Sequence, residues 1–217
     1  QIYRDRLAVL CADVPQLELL VSSEVTVHNA LWPRLAALNT AAGGPLVNFR
    51  IDDDDCLSVD YVAGLRGYMT RLGDCTPMAY SRTNGLVITH YAQDEGMAIY
   101  QPHLPFNSMG TAIRIQGERT IFSFGHNALH KRFPAIVDNA GMGYISIKID
   151  GHDSVPISLA MPHIKNSHTP LARPETEAAL ARWFPFLGSV EGQRYDALVD
   201  KITRAAALIA PLRTVEA

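Results

Sequence analysis

No stretch of the 217-residue chain reaches the roughly 18 consecutive apolar residues that a spanning helix needs, so no membrane segment is expected. Excess positive charge is also missing. The formal net charge of −3 offers no basic face for nucleic acid. Cysteine is scarce: Cys11, Cys56 and Cys75 stand at unrelated spacings that form neither a disulfide framework nor a zinc pattern. That usage points to a reducing, cytoplasmic setting. Internal repeats, low-complexity tracts, Gly/Ser linkers and a signal peptide are absent too, so 1–217 reads as a single domain with a helical tail from about residue 172. The chain opens directly on QIYRDRLAVL without an initiator methionine, as if cut from something longer. An apolar share of 47% excludes wholesale disorder and can fill a core.

What is present reads as alternating helices and strands. Tyr3 to Ala12 has helical spacing, with Leu7 and Leu10 on one face, and Pro15 follows it. LELLVS (Leu17 to Ser22) is a nearly unbroken apolar run, the pattern of a buried parallel strand. His28 to Ala42 reads as a second helix, with Pro33 tolerable only in its first turn and Gly43-Gly44 as its stop. Residues 46 to 51 form the next strand, expected inside the sheet. Ser58 is placed to cap a third helix, whose apolar stripe would be Val59, Val62, Leu65, Met69 and Leu72, closed by Gly73. This order predicts a parallel α/β layer.

After Asp74 the pattern turns antiparallel. Asn84-Gly85 signals a hairpin between MAYS and LVITHY. Met97 to Gln101 adds a strand, and Leu104 to Ile113 is a loop leading into a further element. RTIFSFGH and GYISIKIDGHDS read as two strands ending near His126 and His152. Helices are expected over about 174–184 and 194–212. In the second of these Leu198, Ile202, Ala205, Leu208 and Ile209 oppose Lys201 and Arg204, a face suited to docking on the domain or, less commonly, to a membrane surface.

The stretch that carries chemistry is FRIDDDDCLS, Phe49 to Ser58. Four adjacent carboxylates, Asp52 to Asp55, repel one another unless something positive sits among them. Hard oxygens of this kind suit Mg²⁺ or Mn²⁺, which leave positions open for substrate phosphates. A solvated acidic loop or a weak Ca²⁺ site is the plainer alternative. Ligands in α/β sheets gather beyond strand ends, which favours a site here. By the same logic His152 and Asp153 should approach the acidic run in space. His126 and His130, at i and i+4, would pair on one metal only if helical. Lys131 and Arg132 face either phosphates or solvent.

At FRIDDDDCLSVDYVAGLR the chain resembles bacterial glycosyltransferase-like proteins of the rhamnosyltransferase type. The matching residues are Arg50, Ile51, Asp52, Asp54 and Asp55, then Asp60, Tyr61, Val62, Leu65 and Arg66. YRDRLAVLCADVPQLELL upstream, and more loosely the GH at 126 and HDS at 152–154, resemble the same group. The resemblance is specific over residues 3 to 70 and weak beyond about 160. It implies a GT-A-type nucleotide-diphospho-sugar fold, a mixed sheet flanked by helices. It also implies a D-x-D metal motif on Asp52 and Asp54 with Asp55 close behind, the register being open between 52/54 and 53/55. Such folds place a nucleotide-holding strand and helix ahead of the element that opens this chain, and roughly two strands are missing here.

The implied reaction moves a sugar from a nucleotide-diphosphate donor to a saccharide or other hydroxyl acceptor, in the manner of surface polysaccharide synthesis. Mn²⁺ or Mg²⁺ would sit on Asp52 and Asp54, and Asp55 and His152 would complete the donor contacts. Asp153 would be the general base, and Ser108, Met109 and Gly110 would line the acceptor side. A non-catalytic binding or scaffold module of the same ancestry is the alternative, and a ligand-sensing domain a more distant one.

Overall fold

The computed structural model describes residues 2–52, 54–91, 97–149, 162–188 and 193–209. Its organising element is β3 (Met78–His90), thirteen residues of which all but Asn84 and His90 are buried. β3 pairs antiparallel with β5 (Thr111–Ile115) through its first residues and with β4 (Ala98–Pro102) through its last. β6 (Ala135–Ile149) runs parallel to it. β1 (Leu46–Phe49) extends the sheet beyond β5, and β7 (His168–Pro170) extends it beyond β4. β2 (Cys56–Leu57) pairs antiparallel with β6. The result is a curled mixed sheet with helices against it.

Alternation along the strands sorts side chains into separate cores. Met78, Tyr80 and Ala112 meet Tyr61, Leu65 and Met69 of α3 (Tyr61–Arg71). Ala79 and Ile113 turn the other way, to Phe106, Ile121 and Leu129. The largest core joins Leu86, Ile88 and Ile145 to α5 (Arg173–Trp183) and α6 (Arg194–Ile209) through Leu180, Leu198 and Ile202. So the C-terminal helix docks on the domain by its apolar stripe and leaves Lys201 and Arg204 exposed. A short helix, α4 (Pro162–Ser167), precedes β7.

Helices α1 (Ile2–Ala12) and α2 (Val27–Ala42) form where periodicity predicts them, and Gly43 ends α2 in the left-handed region at φ 68°. Pro33 departs from expectation. It lies in the interior of α2 rather than its first turn, forfeiting the hydrogen bond its missing N–H would make four residues back. Gly73 closes α3 at φ 53°.

Several strand expectations are corrected. Residues 17–22 form no strand and Leu17, Leu20 and Val21 are exposed, because an apolar run becomes a buried strand only where ladder partners exist. Among the described residues β1 is an edge strand that stops at Phe49 and pairs only with β5, antiparallel, so the expected parallel layer does not form around it. Asn84-Gly85 makes no hairpin: β3 runs straight through, and the β6 register shifts opposite it. Gly85 is required for another reason. A Cβ there would fall 2.5 Å from the Tyr144 ring. Asn84 meanwhile donates to the Asn139 carbonyl and bonds His103 Nδ1. RTIFSFGH folds as 3₁₀ turns, with Thr120 and Ser123 closing a capping box over Ile121–Ser123.

Candidate active site at the acidic turn

β1 delivers the chain to Arg50, and the backbone then turns instead of continuing extended, the Asp55 N–H donating to the Asp52 carbonyl at 3.1 Å. The strict alternation that would set 52 and 54 against 53 and 55 therefore does not apply. Arg50 reaches forward to Asp52 (Nη2 to Oδ2, 3.3 Å). Its Nε is buried with no hydrogen-bond partner among the described residues. His126, the start of a 3₁₀ turn (His126–Lys131), lies within electrostatic reach of both. Burial and the Arg50 charge hold its pKa below the usual histidine value, against the pull of Asp52.

Asp55 occupies the most demanding position. Burial first, and the neighbouring Asp54 charge second, push its pKa up to about 7, with Ser146 and Lys148 pulling the other way. Its Oδ1 is buried, and the Ser146 hydroxyl lies near enough to lower the Asp55 pKa, but neither atom makes a hydrogen bond of full geometry with the described residues. The same charges act on neighbours. The Cys56 thiol is raised by burial and then by Asp55, with Lys201 of α6 opposing. Burial, with a contribution from Asp55, pushes Tyr144 up to about 12, despite its hydrogen bond with Asn107.

Tyr144 links this turn to the loop before β5. Its hydroxyl meets Asn107 Nδ2 at 3.5 Å, and its ring would lie 2.9 Å from a Cβ placed on Gly110, whose φ is 67°. Of the residues expected on the acceptor side, Gly110 thus packs on Tyr144, Met109 is buried, and Ser108 donates to the Met109 sulfur at 2.8 Å.

A second cluster, of Arg82, Asp138, Tyr80, Asp60 and Ser58, was not anticipated. Arg82 Nε donates to Asp138 Oδ2 at 3.1 Å, and Nη1 donates to Asp60 Oδ1 at 2.9 Å. The Tyr80 hydroxyl donates to Asp138 Oδ2 at 2.7 Å and the Ala140 N–H to Oδ1 at 2.9 Å. Burial alone would raise Asp138, but these donors and the Arg82 charge hold it below its usual value. Ser58 donates to Asp60 (2.7 Å), so Asp60, not Ser58, stands at the start of α3, and its carboxylate is occupied by Arg82 rather than by helix N–H groups. The buried face of α3 is Tyr61, Leu65 and Met69, while Val59, Val62 and Leu72 are exposed.

Other expectations separate. His126 and His130 do not share a face, because a 3₁₀ turn sets i and i+4 well apart; His130 instead lies against Phe106 at 5.1 Å. Lys131 and Arg132 are exposed, the latter 5.8 Å from the Phe124 ring. His152 and Asp153 lie outside the described residues, as does Asp53. Tyr144, Ser146 and Lys148 were missed, although GYISIKI carries their signal: polar side chains at every second position, opposite Ile145 and Ile149 in the core.

Among the described residues, no three His, Cys, Asp or Glu side chains group as a metal site. A Mg²⁺-type site needs fewer, since one or two carboxylates plus substrate phosphates suffice. The crowded carboxylates and the Asp55 oxygen that lacks a full hydrogen bond among the described residues fit such an ion. Two shallow clefts open elsewhere, near Pro45 and near Trp32, towards the opposite end of β1. In comparisons with known proteins, residues 1–161 match the family described as putative rhamnosyl transferase. No curated protein and no solved structure matches the chain.

Proposed function

The chain belongs to that rhamnosyl transferase family, and from this premise we propose that it is a metal-dependent glycosyltransferase. It would move a sugar from a nucleotide-diphosphate donor to a hydroxyl acceptor on a sheet of GT-A type. The observation that carries the reading is the acidic turn itself. Burial and then the crowded carboxylates lift Asp55 to about 7, one buried oxygen lacks a full hydrogen bond among the described residues, and Arg50, His126 and Lys148 stand at its margin.

In this reading Asp52 and Asp54 hold Mn²⁺ or Mg²⁺, and Asp55 lies behind them. The ion, when bound, supplies neutralisation of the charge that develops on the leaving diphosphate. Arg50 and Lys148 add positive charge on the protein side for the same phosphates. Asn107 and the Ser108–Gly110 loop, tied to Tyr144, would border the acceptor. Asp153 is proposed as the base that takes the acceptor proton, and His152 as a further phosphate contact, both from their place in the sequence just after β6.

The test is a thermal-shift titration with Mn²⁺ and Mg²⁺, with and without nucleotide diphosphates, alongside donor hydrolysis and transfer assays. A divalent ion should raise Tm by mass action, and Asp54→Asn should remove that response while leaving the metal-free Tm unchanged or slightly higher. No divalent response in the wild type, alone or with any nucleotide diphosphate, would overturn the metal-dependent reading. A metal response without turnover would point to a non-catalytic binding module.

A further inference from the structure

Beyond the end of β1 remote from the acidic turn, a cleft of about 490 Å³ opens between α2 and the residues that follow β5. Trp32, Asn39, Thr40 and Gln116 line it. Gly43 and Gly117 leave its rim open: both take positive φ (68° and 91°), and a Cβ on either would meet nothing within 4 Å. Among the described residues no ionisable side chain lines the cleft.

The polar groups there are only partly used. Asn39 Oδ1 accepts the Leu46 N–H at 3.0 Å, which fixes its orientation and leaves its amide hydrogens to donate. Thr40 Oγ1 donates to the Ala36 carbonyl at 3.0 Å, which leaves its lone pairs to accept. Gln116 is exposed and makes no hydrogen bond with the described residues, so both ends of its amide remain for a ligand. A half-buried indole beside fixed, uncharged donors and acceptors is the chemistry of sugar recognition. The ring covers the C–H face of a pyranose while amides and hydroxyls pair its hydroxyl groups. Without a cation to neutralise them, phosphate or uronate ligands would be poorly held.

We propose that this cleft is a second, non-catalytic binding site for a neutral saccharide. The strand from Leu46 to Phe49 alone spans roughly 10 Å at about 3.3 Å per residue, and the acidic turn lies beyond it, farther than a single sugar ring reaches. The cleft would therefore hold a distal unit of an oligosaccharide while another unit lies at the acidic turn. Only this last link rests on the glycosyltransferase reading; binding at the cleft does not.

The experiment is titration of the intact protein, in the presence of EDTA, with rhamnose and rhamnose oligosaccharides of increasing length, followed by calorimetry and NMR shift mapping. Binding should be seen in wild type, weaken by about tenfold or more in Trp32→Ala and by a few-fold in Gln116→Ala, and persist in Asp54→Asn. Gln116 is an exposed surface residue, so Gln116→Ala keeps the test decisive if Trp32→Ala fails to fold. The proposal is overturned if no oligosaccharide binds, if Trp32→Ala and Gln116→Ala bind as wild type does, or if a uronate-bearing oligosaccharide binds more tightly than its neutral counterpart. No divalent response in the wild type, with oligosaccharide binding retained, would sink the metal-dependent reading and leave this one standing.

Discussion

Asp138 lies buried on β6 and Asp55 lies half-buried just before β2, the strand that pairs with β6, yet their surroundings differ in kind. Asp138 receives the Tyr80 hydroxyl, the Ala140 N–H and the Arg82 guanidinium, and its pKa falls despite burial. Asp55 has Asp54 and Asp52 for neighbours and a buried oxygen without a full hydrogen bond among the described residues, and its pKa rises. Supplying donors to a buried carboxylate is evidently within this fold's means, since it does so around Asp138. A carboxylate left short of donors is therefore informative: structure alone is better served by the first arrangement, and a cationic ligand by the second.

The comparison is broken most severely at Arg82. Arg82→Ala strands Asp138 in the core without its cation and should cost about 3–5 kcal/mol, measured by denaturant unfolding. Removing Asp138 as well should cost less than the two single changes summed, because no buried charge is then left alone. A cost near zero for Arg82→Ala would mean that the cluster does not hold β3 to β6. Next in size is Gly143→Ala. Its new Cβ would fall 2.5 Å from Arg82 Cδ, and Arg82 is pinned by its carboxylates, so relief must come from the strand. Overpacking of this kind costs about 1–3 kcal/mol, and the penalty should shrink in an Arg82→Ala background, where only the residue 82 Cβ, 3.0 Å away, remains in contact.

The two clusters also differ in how far the sequence announces them. Four consecutive aspartates are conspicuous, and their placement after a short apolar run marked the turn at once. Arg82 and Asp138 stand 56 residues apart and meet only because β3 and β6 pair in parallel with those two residues opposite each other. Nothing local encodes that register. The same division runs through the fold. Helical periodicity located α1, α2, α5 and α6, since it depends on near neighbours. Strand partners are non-local, so the antiparallel edge position of β1 and the lack of any ladder for residues 17–22 were out of reach. Asn84-Gly85 misled for a related reason: the glycine answers to Tyr144, a contact made across the sheet and invisible along the chain.

The smallest expected effect separates the two carboxylates by pH. Asp138 has a folded pKa below its ordinary value of 3.8, so its contribution to stability is present above that value and is lost only as pH falls through the lower folded one. Asp55 has the opposite sign. Folded, it keeps its proton up to about 7, whereas the unfolded chain releases it near 3.8. Between those values the folded state binds more protons, so stability declines as pH rises, and it levels off above 7. Asp55→Asn carries no such ionisation. In EDTA the wild type should therefore match or exceed Asp55→Asn near pH 4 and fall progressively behind it towards pH 7, with a constant gap beyond. Asp55 remains partly open to solvent, which screens the effect and keeps the gap modest. Parallel melting curves for the two proteins from pH 4 to 8 would show that Asp55 is neutralised by the fold after all, and would remove the main physical reason for placing a cation at the acidic turn.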